Sequence, residues 1–216
     1  DQCSTTELPR LLTDKKVRSW KTIEHNYYII FLISASIYSQ KLYNSIMKAT
    51  TKQDNVLIFG GSFDPVHSAH IALLKQAIKQ IKPKYSYVIP TYLSPFKKSH
   101  SIDPKHRIKM AKLVFNKISK TIIVDDIEIK NNKKTYAYQN LKYLQKKHTN
   151  AKFFLLVGSD CVDTLPKWKN FAYLKQNIIF LIGKREGFKL KKNLPFNYEV
   201  LKGNFPKISS TGVREN

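Results

Sequence analysis

The chain has 216 residues, 42% of them hydrophobic, and a formal net charge of +23 from 38 Lys and Arg against 15 Asp and Glu. That length suits one compact α/β domain with at most an appendage, and leaves no room for the separate recognition domain of a tRNA-charging enzyme. The charge favours polyanions, whether nucleic acid, anionic membrane or phosphorylated metabolite, without choosing among them, and single lysines or runs such as Lys146-Lys147 and Lys191-Lys192 are read as solvated surface.

The sequence begins with Asp, and its first 46 residues carry six bases and four acids. The apolar run Tyr27–Tyr38 follows a basic segment but is about 12 residues long, short of the roughly 20 that span a bilayer. MKATTKQDN, from Met47, leads straight into an apolar strand. Residues 1–46 are therefore expected to be an N-terminal extension upstream of the true start, with a helical extension or a membrane anchor as alternatives, and 47–216 a nucleotide-handling domain. Cys3 and Cys161 lack zinc-site spacing and are too few for a disulfide framework, which points to a reducing cytosol.

From Asn55 onward, strands alternate with helices. Val56–Phe59 is a wholly apolar run ended by Gly60-Gly61, as a buried parallel strand requires. Ile71–Ile81 has helical spacing and closes at Pro83. Tyr87–Ile89 reads as a strand; Asp103-Pro104 opens a helix to about Ile118, containing Arg107 and Met110. Thr121–Val124 is a strand, and Thr135 is expected to cap a helix to His148. Phe153–Val157, ending at Gly158, and Ile178–Ile182 are further apolar strands. This order predicts a Rossmann-like parallel sheet with helices on both faces and ligands beyond the carboxyl ends of its strands.

Two segments carry chemistry. GGSFDPVHSAH, Gly60–His70, stands where a first strand turns into a first helix: glycines admit a close backbone approach, and the helix amides face an anion. His67 and His70, three apart, share one face of a first turn and can serve one phosphate. ISSTGVR, Ile208–Arg214, sets Ser209, Ser210 and Thr211 as helix caps with Arg214 projecting, a combination suited to polyphosphate. Asp125 and Asp126 are read as a solvated turn and Cys161 as a small filler.

On these segments the chain resembles the bacterial-type nicotinate mononucleotide adenylyltransferases, in the nucleotidyltransferase superfamily that shares an HxGH-like motif with class I aminoacyl-tRNA synthetases. The resemblance covers residues 56–216 and includes VGSDCVDTLPKW, Val157–Trp168, and GKREGF, Gly183–Phe188. It implies transfer of the adenylyl group of ATP to nicotinate mononucleotide, in the cytoplasm, with adenylyl or cytidylyl transfer to another phosphorylated acceptor (nicotinamide mononucleotide, pantetheine phosphate) as the alternative and a basic RNA-binding module as the more remote one. His67, His70 and Arg214 would be catalytic. Gly60, Gly61, Ser62 and Phe63 would line the nucleotide site, Gly158 and Asp160 would lie beside the ribose, and Arg185 near the nucleotide. Ser210 and Thr211 would join Arg214 on the β- and γ-phosphates.

Trp168 would stack on the pyridine ring, backbone amides near Ala137 and Lys169 would meet the nicotinate carboxylate, and Thr91 would lie on the acceptor side. Mg2+ would bind mainly through ATP oxygens and water, without a protein ligand set. Neither nucleic acid nor a stable membrane contact is implied, and a homo-oligomer is left open. Three positions depart from the pattern: Ala69 replaces a glycine, Ala137 a common threonine and Lys169 a common aromatic. The family continues past ISSTxxR, so a C-terminal truncation at Asn216 is expected.

Overall fold

The computed structural model describes residues 36–41, 53–93, 101–185, 188, 193–203 and 205–215. Most of the Tyr27–Tyr38 run, Cys3, Met47, Glu186-Gly187 and Lys191-Lys192 lie outside the described residues. The chain divides into two compact units, Asp1–Lys52 and Gln53–Asn216. In the first, residues 36–41 form a short exposed helix, α1.

The second unit runs β1 (Asp54–Gly61), α2 (Ser68–Ile81), β2 (Tyr85–Pro90), α3 (Pro104–Phe115), β3 (Ile122–Val124), α4 (Ile127–Lys130), α5 (Ala137–Lys147) and β4 (Ala151–Gly158). A 3-10 helix (Ser159–Lys167), α6 (Phe171–Asn177), β5 (Ile179–Gly183), β6 (Tyr198–Val200) and α7 (Ser210–Glu215) complete it. The strands form one sheet in the order β3-β2-β1-β4-β5-β6, every pair parallel.

Because side chains alternate along a strand, each apolar run feeds two cores. Val56, Ile58, Phe153, Leu155, Val157, Phe180 and Ile182 point to one face, where α5 supplies Leu141 and Leu144 and α6 Leu174. Leu57, Phe59, Phe154, Leu156 and Leu181 point to the other, where α2 supplies Leu73, Leu74 and Ala77 and α3 supplies Ala111 and Phe115. That two-sided burial is why these runs read as continuously apolar.

Element edges shift where side-chain caps decide them. The α2 helix starts at Ser68, with His67 at its N-cap. Asp103 caps α3 by accepting from the Lys105 amide at 2.7 Å, and α3 ends at Phe115 rather than near Ile118. Thr135 does not cap α5: its hydroxyl donates to the Lys133 carbonyl. The helix begins at Ala137, where Gln139 Oε1 accepts from the Tyr136 amide at 3.0 Å.

The strand order reverses direction between β1 and β4, and there the sheet opens. Cross-strand pairing of β1 with β4 ends at Ile58–Leu155. Beyond it, β1 stays with β2 as far as Gly61–Pro90, whereas β4 stays with β5 as far as Gly158–Gly183. Two glycine-bearing strand ends thus diverge around a crevice at the switch point, the place where open α/β sheets bind ligands.

Candidate active site

One wall of the crevice is the turn after β1. A Cβ added to Gly60 would find no atom nearer than the Ile89 carbonyl at 4.0 Å. The protein's own packing therefore does not require glycine there. Gly61 accepts from the Thr91 amide at 2.9 Å, tying the turn to the loop after β2. The Ser62 carbonyl accepts from Arg107 Nη1 at 2.6 Å. Phe63 is only 1% exposed, its ring wedged 5.3 Å from Phe59, 5.4 Å from Phe115 and 5.1 Å from His70. Its side chain thus belongs to the core, leaving only its backbone to the crevice.

His67 and His70 stack with ring centroids 3.7 Å apart. The His67 amide donates to His70 Nδ1 at 3.3 Å, which makes Nδ1 an acceptor and leaves the proton of the neutral ring on Nε2. Burial, then His67 and Arg185, push His70 down to about 3; burial and Arg185 lower His67 in the same sense. Both rings are therefore neutral near pH 7, and His70 offers Nε2–H as a donor. His67 Nδ1 and Thr91 Oγ1 are buried without a hydrogen-bond partner among the described residues. Buried polar atoms left in that condition are met by water, an ion or a ligand.

The C-terminal helix reaches the same turn. Ser209 Oγ accepts from the Gly212 amide at 3.1 Å and so caps α7. Ser210 Oγ donates to the Pro65 carbonyl at 3.0 Å. Arg214 Nη1 donates to the Asp64 carbonyl and lies 3.8 Å from the Asp64 carboxylate, while Nη2 donates to Thr211 Oγ1 at 3.3 Å. Residues 150 positions apart thereby meet three residues before His67. Asp64, 1% exposed, also accepts from the Ser101 and Ile102 amides, each at 3.0 Å.

Across the crevice, Ser159 Oγ accepts from the Arg185 amide at 3.1 Å, and Arg185 Nη2 lies 3.5 Å from Asp160 Oδ2. A Cβ on Gly158 would come within 2.3 Å of Asp160 Oδ1, so glycine is what lets that carboxylate fold back over the end of β4. Cys161 is a free thiol that burial, with Asp160 beside it, pushes up to about 11; it stays protonated and is no nucleophile.

On the α5 side, Trp168 and Ala137 pack against one core cluster, and Lys169 Nζ sits 4.7 Å over the Tyr136 ring. The 165–169 turn and the start of α5 are thus adjacent.

Two residues that the sequence did not single out, Asp64 and Glu128, hold the site together with Arg107, which the sequence placed on the third helix without a role. Only the burial of charged groups could have flagged them, and burial of Arg107 at 0% exposed and Glu128 at 1% is a property of the folded chain. Asp125 also differs from the solvated turn expected of it. It accepts from the Ile127 amide and the Tyr143 hydroxyl and lies 3.8 Å from Lys147, while Asp126 pairs with Lys130 at 2.9 Å. Among the described residues no group of three His, Cys, Asp or Glu could hold a metal, and no helix is long and apolar enough to cross a membrane.

A sequence model of the family described as Cytidylyltransferase-like matches residues 58–216. A protein of Aliarcobacter butzleri (strain RM4018), named "Probable nicotinate-nucleotide adenylyltransferase", is 38% identical over 137 residues, 63% of this chain and 75% of that protein. The Plasmodium falciparum nicotinic acid mononucleotide adenylyltransferase complexed with NaAD superposes with a TM-score of 0.64 at 28% identity, covering 76% of this chain and 83% of that one. Complexed with APC, it gives 0.60 and 26% over the same shares.

Proposed function

The chain belongs to the Cytidylyltransferase-like family, among its nicotinate-nucleotide adenylyltransferases, and from that premise we propose that it transfers the adenylyl group of ATP to nicotinate mononucleotide. The products are the deamido form of NAD and pyrophosphate, in the cytoplasm, and residues 47–216 form the domain that does it. The observation that carries this reading is the meeting of the stacked His67–His70 pair with Arg214 at one turn of the crevice.

In this reading a phosphate oxygen of the mononucleotide attacks the α-phosphorus of ATP in line. A new P–O bond forms, the bond from the α-phosphorus to the bridging oxygen breaks, and pyrophosphate leaves with the electron pair. Such a reaction asks the protein for position and charge rather than for a covalent intermediate. His70 Nε2–H donates to an α-phosphoryl oxygen, and His67 Nδ1 takes part in the same polyphosphate contact. Arg214, with Ser210 and Thr211, holds the departing phosphates. Gly60 and Gly61 let the backbone close on the nucleotide; Gly158 and Asp160 take the ribose hydroxyls, with Arg185 beside them.

On the acceptor side, Thr91 Oγ1, Trp168 and the backbone at Ala137 and Lys169 hold the pyridine nucleotide. Magnesium, carried in on the ATP oxygens with water on its other positions, supplies charge neutralisation for the leaving pyrophosphate.

The test is pyrophosphate release from ATP with nicotinate mononucleotide, nicotinamide mononucleotide or pantetheine phosphate at equal concentration. Release is expected to be fastest with the first. Faster release with either of the others would reassign the acceptor, and none with any of them would remove the activity.

A further inference from the structure

The loop after β2 is held by two buried charged side chains that reach its backbone from different helices. Glu128 Oε2, on α4, accepts from the Tyr92 amide at 3.1 Å. Arg107 Nη2, on α3, donates to the Tyr92 carbonyl at 3.1 Å. Each also grips a second part of the site. Glu128 Oε1 accepts from Asn140 Nδ2 at 2.7 Å, and Asn140 lies on α5, whose first residue is Ala137. Arg107 donates from Nη1 to the Ser62 carbonyl, in the glycine turn, and from Nε to the Ile102 carbonyl at 3.1 Å.

The residue before Tyr92 is Thr91, whose buried hydroxyl has no partner among the described residues and whose amide donates to Gly61. The Tyr92 peptide is thus the joint between the acceptor side and the nucleotide side. We propose that Glu128 is a positioning residue for the acceptor: its ionised carboxylate, braced by Arg107, fixes the Tyr92 peptide so that Thr91 and the start of α5 meet the mononucleotide in register with the glycine turn. This rests on the function proposed above.

Ionisation is what makes the device conditional. Both carboxylate oxygens face N–H donors, and as an anion Glu128 gives each of them a charge-assisted bond. A proton on either oxygen ends one such bond and weakens the attraction to Arg107. Burial pushes the Glu128 carboxyl up to about 7, against the pull of Asn140, the Tyr92 amide and Arg107. Among the described residues the charged group facing it is Arg107 from α3; α5 presents the neutral Asn140, and Asp64 and Asp103 face Arg107. A carboxyl that ionises as pH rises through about 7 holds the acceptor side better above that point than below it. His70, lowered to about 3, adds no titration in that range, and His67 is lowered in the same sense.

Glu128→Gln imitates the protonated carboxyl, with one acceptor oxygen and one donor. At about pH 8 the variant is expected to raise the KM for nicotinate mononucleotide roughly tenfold, the scale of one charged hydrogen bond, with the KM for ATP within about twofold. The variant-to-wild-type ratio cancels titration of the substrate phosphate, and it should fall toward one by about pH 6. A ratio independent of pH, or an equal rise in both KM values, would mean a merely structural role and overturn the proposal.

The wild-type protein supplies a second measurement should the variant not fold. Carbon-13 spectra of labelled glutamate carboxyls should show one group with a midpoint near pH 7. By reciprocity, saturating nicotinate mononucleotide should lower that midpoint by about one pH unit, and ATP should not. A midpoint unmoved by the mononucleotide overturns the proposal. Normal turnover without these shifts removes only the role of Glu128, whereas no turnover with any acceptor removes the activity itself.

Discussion

In the proposed reaction His70 acts as an uncharged group. Its ring is packed edge-on against Phe63 and stacked on His67, and the resulting burial removes the imidazolium at any pH where a cell lives. What remains is a fixed Nε2–H donor, which costs no reorganisation when charge develops on the transferred phosphoryl group. Replacing His70 with Ala is expected to lower kcat by about 100-fold, the loss typical of one preorganised donor. Turnover within a few-fold of wild type in steady-state assays would remove the side chain from the chemistry.

The histidine pair was legible in the sequence because three-residue spacing at a strand-to-helix turn is a local pattern. The tautomer was not, since it depends on which atom the His67 amide reaches. The partners of Asp64, Arg107 and Glu128 stayed hidden for a related reason: each serves backbone groups of another segment, and no sequence spacing encodes such a partner.

Apolar runs announced β1, β4 and β5, because burial on both faces leaves an unbroken hydrophobic string, and shorter apolar stretches marked β2 and β3. The four-residue α4 and the three-residue β6 are too short for periodicity to reveal, and the 3-10 helix at Ser159–Lys167, with Pro166 inside it, lacks the 3.6-residue period of an α-helix. At this scale the seat of α2 on the sheet is the sensitive contact. A Cβ on Gly183 would fall 1.9 Å from Leu73 Cδ2, whereas one on Gly60 has room. Gly183→Ala should therefore push α2 off β5 and cost about 1–3 kcal/mol, the range for overpacked cores, seen as a lower melting temperature by calorimetry. Gly60→Ala should melt like wild type while binding ATP less well. Equal melting temperatures for all three proteins would contradict the close approach of Leu73 to β5.

For the whole molecule, strand-helix alternation gave the parallel α/β class but not the strand order, which is a choice among topologies that alternation alone allows. The charge of +23 also acts at this scale. It raises the local concentration of anionic substrates over distances that salt sets, about 10 Å at about 0.1 M and about 3 Å at about 1 M. Added potassium chloride across that range should raise the KM for ATP and for the acceptor several-fold while kcat changes little. KM values indifferent to salt would confine the charge to solvation.

The position of β1 in the middle of the sheet has a consequence for how the molecule is made. Its residue Asp54 pairs on one side with Ala151, so one edge of an intensely apolar strand stays bare until a distant segment arrives. Non-local parallel pairing of that kind forms slowly and exposes sticky intermediates to one another. A net charge of +23 opposes contact between such half-assembled species.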